Sequence, residues 1–304
     1  MNTKIVKSAV IGCGMISKNH FKALQNLQNV QCLVACDCKP ERARQACETY
    51  GLPSVETDYR KVLENPDIEV VHLCLPHYLH APIAIEALEH GKHVLCEKPM
   101  ALCKRDAERM IAARDHAGKA LGICFQNRYN ASSRYMKELV DSGSLGRILG
   151  GRGAVFWNRN PEYYTQSDWR GTLDKEGGSA LENQACDVFM TGSAGERFVF
   201  FCSNCYIKNA PVELEIVGEK GNIHMIGNVV TTEQNGQTTT RDFTSGTVYG
   251  KDYWGSGHGF LIEDFYQKLA KGERFPISGE EAIVSVKLLD AVYDSARTGR
   301  TIRL

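Results

Sequence analysis

The sequence has no apolar run near the ~20 residues that a membrane-spanning helix requires, so no membrane span is expected. It has no excess of either charge. Lys and Arg number 36, Asp and Glu 36, and the formal net charge is zero. Composition therefore gives no support to nucleic-acid or membrane-surface binding, which needs a basic face. A secretory leader is missing too. Met1–Lys7 is polar, and the apolar run Ala9–Ile11 is short and meets glycines, so a soluble, cytoplasmic protein is expected. Repeats and low-complexity tracts are absent. Cysteine is plentiful, at 12 residues, but its arrangement lacks a metal or disulfide framework. Cys74, Cys96 and Cys124 sit singly in apolar runs, as small buried hydrophobes do. Cys202 and Cys205 form a C-x-x-C without the second pair that would complete a zinc site. Their segment also reads as a strand, where residues three apart point to opposite faces, so no metal is expected. The reducing cytosol fits such free thiols.

What is present is a change of texture along 304 residues, a length that points to two domains. The first ~120 residues alternate apolar strand-like runs with helical patterns, the signature of βαβ units and a parallel sheet. Strands are predicted at Ser8–Ile11, Gln31–Cys36, Val70–Leu75, His93–Glu97 and Ala120–Phe125. Helices are predicted at Ser17–Leu27, Pro40–Tyr50, Tyr59–Leu63, Ala81–His90 and Lys104–Ala117, with another at Arg134–Ser142. Beyond it, strand-like runs at Ile148–Trp157, Arg197–Tyr206, Val212–Gly218 and Asn222–Gly227 follow one another. Val229–Phe243 reads as a hairpin turning at Asn235-Gly236. Helical spacing returns at Gly259–Ala270 and Gly279–Ala296, and Ser278 with Glu281 predicts a capping box for the latter. The fold class is α/β plus α+β: a doubly wound parallel sheet over residues 1–125, then an open antiparallel sheet domain over 126–304. The final helices are free to pack on either.

The strongest local signal is Gly12-Cys13-Gly14-Met15-Ile16-Ser17, set between the first strand and the first helix. Gly12 permits the tight turn, and Gly14 lets backbone approach a pyrophosphate at the helix N-terminus. Ser17 stands where a third glycine serves helix–strand packing. An acid follows at the end of the next strand, Asp37, placed to accept from adenosine ribose hydroxyls. A carboxylate there repels a 2′-phosphate, so NAD is expected over NADP, with Lys39 and Arg42 near enough to soften the choice. Lys98, in Glu97-Lys98-Pro99, closes a strand at its carboxyl end, where open α/β sheets bind ligands. A lysine there can shuttle a substrate proton; equally, it can be a solvated strand-end residue.

These motifs, with Leu75-Pro76-His77-Tyr78-Leu79-His80, Phe125–Asn130, Trp169-Arg170-Gly171 and Pro211–Gly221, resemble the glucose–fructose oxidoreductase and inositol dehydrogenase family over nearly the whole chain. The resemblance implies a Rossmann first domain and oxidation of a secondary hydroxyl on a sugar, cyclitol or nucleotide sugar, with hydride passing to the nicotinamide. It implies that Gly12, Gly14, Met15, Ile16 and Asp37 hold the cofactor's phosphates and ribose. Leu75, Pro76, His80, Glu97 and Lys98 would lie at the nicotinamide, with Asn127 at the domain junction. Trp169 and Arg170 would reach back toward it. Lys98 would be catalytic, Asn183 would orient substrate, and Arg128 and Tyr129 would line its site. The partners implied are a small sugar-like substrate and further copies of the chain, as a homodimer or homotetramer.

One departure stands out. The resemblance leads to Gly177-Gly178 and Asn183, and then to a helix carrying a catalytic His four residues later. Here Asp187 falls at that count, and Ala185–Tyr206 reads as two strands around a turn at Gly192–Glu196. Roughly 30–40 residues, a helix and a strand with their loops, lack a counterpart between Gln184 and Ala185. A shortened gene, a segment removed, and a segment left out of the sequence all fit. A protein that binds NAD without catalysis is therefore the alternative to a dehydrogenase.

Overall fold

A computed structural model of the chain describes residues 4–177, 186–244 and 257–304. Two compact units result. One combines the chain up to Gln126 with His258–Leu304; the other runs from Asn127 to Gly257.

The first unit opens with β1 (Val6–Ile11), α1 (Ser17–Gln25), β2 (Val30–Cys36), α2 (Pro40–Tyr50), β3 (Ser54–Glu56), α3 (Tyr59–Glu64), β4 (Val70–Leu73), α4 (His77–Glu89), β5 (His93–Glu97), α5 (Lys104–Ala117) and β6 (Leu121–Cys124). The six strands form one sheet in the order β3-β2-β1-β4-β5-β6, every pairing parallel. This is the doubly wound order, with its switch point beside β1. Crossover helices cover both faces, so the central strands are apolar throughout: Ala9, Val10, Val70, Val71, Val94 and Leu95 are fully buried. α2 and α5 match the sequence reading residue for residue, because Pro40 starts one and Gly51 and Gly118, both left-handed, stop them. α4 begins at His77, four residues before the predicted start. Pro82 lies inside the helix rather than at its first turn, and the His80 ring meets the Leu75 carbonyl oxygen, adding a contact that favours the extra turn. β3 was not predicted; three half-buried residues give no period to read.

A short 3-10 turn, Gln126–Tyr129, carries the chain into the second unit, which has α6 (Ala131–Asp141), β7 (Ile148–Phe156), α7 (Pro161–Thr165), α8 (Leu173–Glu176), β8 (Cys186–Thr191), β9 (Arg197–Ser203), β10 (Glu213–Gly218), β11 (Gly221–Ile226), β12 (Val229–Gln234) and β13 (Gln237–Asp242). Its seven strands run β13-β12-β11-β10-β7-β9-β8. The predicted antiparallel sheet is in fact mixed. β7 and β9 pair in parallel, because β8 and β9 form an antiparallel hairpin that adds to the β7 edge. The predicted turn at Gly192–Glu196 is the turn of that hairpin. Asn235 and Gly236 both have positive φ, 51° and 73°, as the two-residue turn between β12 and β13 demands. α6 covers one face of this sheet, packing Met136 on Leu145, Ile223, Met225 and Val230.

α9 (Gly257–Lys271) and α10 (Gly279–Thr298) close the chain. The first unit contains them from His258 onward, and the Ile123 N–H donates to the Ile277 carbonyl oxygen at 3.0 Å, tying the segment between them to β6. The predicted Ser278/Glu281 capping box does not form. The Ser278 hydroxyl instead donates to Glu280 (2.9 Å) and accepts from Arg274 (2.8 Å).

Candidate functional site

Loops leaving the carboxyl ends of β1, β2, β4 and β5 carry most of the residues picked out in the sequence. After β1 the chain turns at Gly12, with φ +94°, and a Cβ there would sit 2.3 Å from the Cys74 carbonyl oxygen. Only glycine fits both constraints. The Gly12 N–H donates to the Cys36 carbonyl oxygen at 2.7 Å. A Cβ on Gly14 would meet nothing within 4 Å, so the turn faces open space at that point. Ser17 is 2% exposed, and its hydroxyl donates to the Gly14 carbonyl oxygen at 2.7 Å, holding the turn to the start of α1. No side chain caps α1, which leaves its leading N–H groups and the positive end of its dipole toward the loop. Met15 is exposed beside it.

Asp37 follows β2 and is 8% exposed. One carboxylate oxygen accepts the Cys13 N–H and the other the Lys39 N–H, both at 2.8 Å. The acid therefore locks the glycine turn to the end of β2, and its remaining lone pairs are available to a hydroxyl donor. This cradle fits a dinucleotide: an open anion site at a helix start with a fixed carboxylate beside it.

Leu75 and Pro76, half-buried, follow β4. His80 is fully buried, with one ring nitrogen 2.7 Å from the Pro99 carbonyl oxygen and the other 2.9 Å from that of Leu75. Burial pushes its pKa down, against the pull of both carbonyls toward the charged form. His80 is thus a strut between the loop after β4 and the loop after β5. Glu97 ends β5, buried. Burial raises its carboxyl, but hydrogen bonds from His20 and His258 outweigh that and hold it below the usual carboxylate range. Lys98, next in the chain, is exposed, and its ammonium makes no ion pair among the described residues.

The first unit thus brings Gly12, Gly14, Met15, Ile16, Asp37, Leu75, Pro76, His80, Glu97 and Lys98 onto one body. Asn127, Arg128, Tyr129, Trp169 and Arg170 belong to the second. Asn127 and Arg128 are exposed on the 3-10 turn, whereas Tyr129 is 6% exposed under the Arg134 guanidinium. Arg170 lies over the rings of Tyr163 (4.4 Å) and Trp169 (5.2 Å), and its buried Nε has no hydrogen-bond partner among the described residues. Asn183 and the junction of Gln184 with Ala185 lie outside the described residues. Cys202 is within β9, and Cys205 lies beyond its end, exposed. Sequence reasoning missed His20, His72, His258 and Tyr266, which converge behind Glu97. A histidine inside the apolar run Val70–Leu73 was the one available signal.

Residues 6–125 match the oxidoreductase family with an NAD-binding Rossmann fold, the glucose–fructose oxidoreductase and inositol dehydrogenase family. Inositol 2-dehydrogenase of Salmonella typhimurium (strain LT2) is 33% identical over 164 residues, 53% of this chain and 49% of the relative. The chain thus spans about half the length of that curated relative. D-apiose dehydrogenase of Paraburkholderia graminis is 23% identical over 341 residues, covering 99% of this chain and 90% of the relative. The crystal structure of the WlbA dehydrogenase from Bordetella pertussis, in complex with NADH and UDP-GlcNAcA, superposes with a TM-score of 0.85 at 26% identity, over 100% of this chain and 99% of that one. No helix among the described residues is long and apolar enough to cross a membrane.

Proposed function

We propose, on the premise that residues 6–125 belong to the glucose–fructose oxidoreductase and inositol dehydrogenase family, that this protein is a cytoplasmic NAD-dependent oxidoreductase. It removes hydride from a secondary hydroxyl of a sugar, cyclitol or sugar derivative. The observation that carries this reading is the locked pair of loops: a glycine turn without room for a side chain, bonded through the Cys13 N–H to the Asp37 carboxylate. Bound nicotinamide would supply the hydride acceptor. Gly12 and Gly14 bring backbone N–H groups to the pyrophosphate, with Met15 and Ile16 beside them at the start of α1. Asp37 accepts from the ribose hydroxyls and, as a carboxylate, disfavours the 2′-phosphate of NADP. Lys98, exposed at the strand edge, would give its ammonium proton to solvent and, as the free amine, take up the hydroxyl proton as the carbon loses hydride. Glu97, His80, Leu75 and Pro76 shape that end of the site. The family resemblance assigns Asn127, Trp169 and Arg170 to the cofactor, and Asn183, Arg128 and Tyr129 to the substrate. The binding partners of the relatives support a sugar-like substrate: a nucleotide-sugar acid in the one structure, inositol and apiose by name in the others. A homodimer or homotetramer would cover apolar side chains exposed on the second sheet, Phe189 and Ile226 among them.

A second reading, NAD binding without normal catalysis, is favoured by one observation. The match with D-apiose dehydrogenase runs over 341 positions, and this chain has 304 residues, so at least 341 − 304 = 37 positions of that relative lack a counterpart here. Unmatched positions in that number are what a deletion between Gln184 and Ala185, taking the catalytic His with it, would leave.

One experiment separates the readings. NAD is titrated by tryptophan fluorescence, and NADH absorbance is then followed with a panel of cyclitols and sugar derivatives. The dehydrogenase reading expects binding, turnover, and a loss of about 10²–10⁴-fold in turnover for Lys98→Ala with NAD affinity within about threefold. Normal turnover by Lys98→Ala removes Lys98 from the chemistry. Binding without any turnover selects the second reading, and absence of binding sinks both.

A further inference from the structure

Behind Glu97 lies a chain of buried polar side chains drawn from four elements. Its carboxylate oxygen Oε1 faces His20 Nε2 from α1 at 3.0 Å and His258 Nε2 from α9 at 3.3 Å. His20 Nδ1 meets His72 Nδ1 from β4 at 2.8 Å, and His72 Nε2 meets the Tyr266 hydroxyl from α9 at 2.8 Å. Asn19 Nδ2 lies 3.4 Å from His258 Nδ1. The three rings are fully buried, and Tyr266 is 1% exposed.

The donor count fixes most of the hydrogens. Two imidazole N–H groups point at one oxygen of Glu97, so that oxygen accepts from both. The close contact between His20 and His72 needs one hydrogen between the two nitrogens. Burial, together with the neighbouring His20, pushes the pKa of His72 well down, so His72 is neutral and carries a single N–H. Two patterns then remain. In one, Tyr266 donates to His72, His72 to His20, and His20 to Glu97. In the other, His20 donates at both ends and the hydrogen bond to Tyr266 reverses. They differ by one proton, and in both His20 donates to Glu97, so the carboxylate is held the same way.

We propose that this chain is a clamp that positions Lys98, with His20 its principal member; the proposal rests on the reading of Lys98 as the proton carrier. Glu97 immediately precedes Lys98, and its second oxygen faces the Lys98 N–H at 3.3 Å. His20 sits on α1, the helix whose start faces the glycine turn. The clamp therefore ties the helix at the phosphate turn to the strand that delivers the lysine. It does so in the core, where a carboxylate deprived of its donors would be an unpaired buried charge. Lys98 itself is exposed and lacks an ion-pair partner among the described residues, so the direction in which it leaves β5 is set from beneath. The donor atoms of His20, Glu97 and Cys124 also lie within 4.8 Å of one another, close enough to hold a metal ion. The hydrogen-bond chain satisfies His20, His72 and His258 without one.

The test compares His20→Leu with His20→Gln in the full chain. The glutamine amide offers a donor group and an acceptor group, as neutral imidazole does; leucine offers neither. The expected result is a kcat lowered about tenfold or more in His20→Leu, NAD affinity within about threefold, and most of the rate restored in His20→Gln. A kcat within twofold of wild type in His20→Leu overturns the clamp. So does a proportional fall of NAD affinity and kcat in both variants, which marks a fold defect. One equivalent of zinc in the purified protein, with activity lost on chelation, overturns it in favour of a metal site. If the wild type turns over nothing, the dehydrogenase reading fails, and the clamp is judged by the rate at which Lys98 is reductively methylated. A several-fold change in His20→Leu, reversed in His20→Gln, supports it; an unchanged rate ends it.

Discussion

At the scale of single residues, the tight turn at Gly12 and the acid beside it at Asp37 were legible because local geometry and spacing set where they sit. A turn between a strand and a helix that must admit a phosphate needs glycine, and an acid at the end of the next strand reaches it. The structure adds a reason of its own: the Cβ of any other residue at position 12 meets the carbonyl oxygen of Cys74, the residue after β4. Gly12→Ala should therefore destabilise the protein by a few kcal/mol, from strain at positive φ plus the clash, and weaken NAD binding. Thermal melts and a fluorescence titration of the variant check both; an unchanged melting temperature would contradict the clash. His80 shows the converse. Its sequence context placed it among cofactor-contacting residues, and the structure gives both ring nitrogens to backbone carbonyls in the interior. Whether a histidine faces a ligand or a carbonyl depends on the loop that returns beside it, here the one carrying Pro99, and no local pattern encodes that.

At the scale of elements, α2 and α5 were read to the residue, whereas α6 and α10 differ by two or three residues at an end and the short α7 and α8 were not read at all. Ser278 has the sequence of a capping box, but Arg274 and Glu280 take its hydroxyl. α9 docks on β6 through Phe265, which is 1% exposed and packs edge-on against Phe275 with centroids 5.3 Å apart. A Cβ on Gly122 would come within 2.9 Å of both rings, so β6 carries glycine at that point to admit them. Phe265→Ala should cost about 3–5 kcal/mol, read as a lower urea midpoint at unchanged slope. A shift under 1 kcal/mol would mean that α9 contributes little to the first unit.

At the scale of the molecule, pH reports how the first sheet is closed. His93 begins β5, and its Nδ1 accepts the Ala120 N–H at 2.9 Å. Burial, aided by Lys119 and opposed by Glu69, lowers its pKa to about 4 from an ordinary value of 6.5. The unfolded chain therefore binds the proton first as pH falls. The stability that neutral His93 provides is complete above about 6.5 and is lost progressively down to about 4, on the order of 3 kcal/mol at most. The melting temperature should fall across that window, and His93→Gln, whose amide oxygen can accept the same N–H, should flatten the fall. An identical slope in the variant would place the loss elsewhere.

The sequence alone determined β1, β2, β4, β5 and β6 with the helices between them, the parallel first sheet, the glycine turn with its acid, and the family resemblance. Each depends on period, on punctuation by glycine and proline, or on spacing within a few tens of residues. Only the tertiary structure decided that the last helices belong to the first unit, that β9 joins β7 in parallel, and that His20, His72, Glu97, His258 and Tyr266 meet. Those hydrogen bonds join residues up to 194 positions apart. What selects them is the burial of whole faces against one another, a property of the packed chain that no stretch of it carries locally.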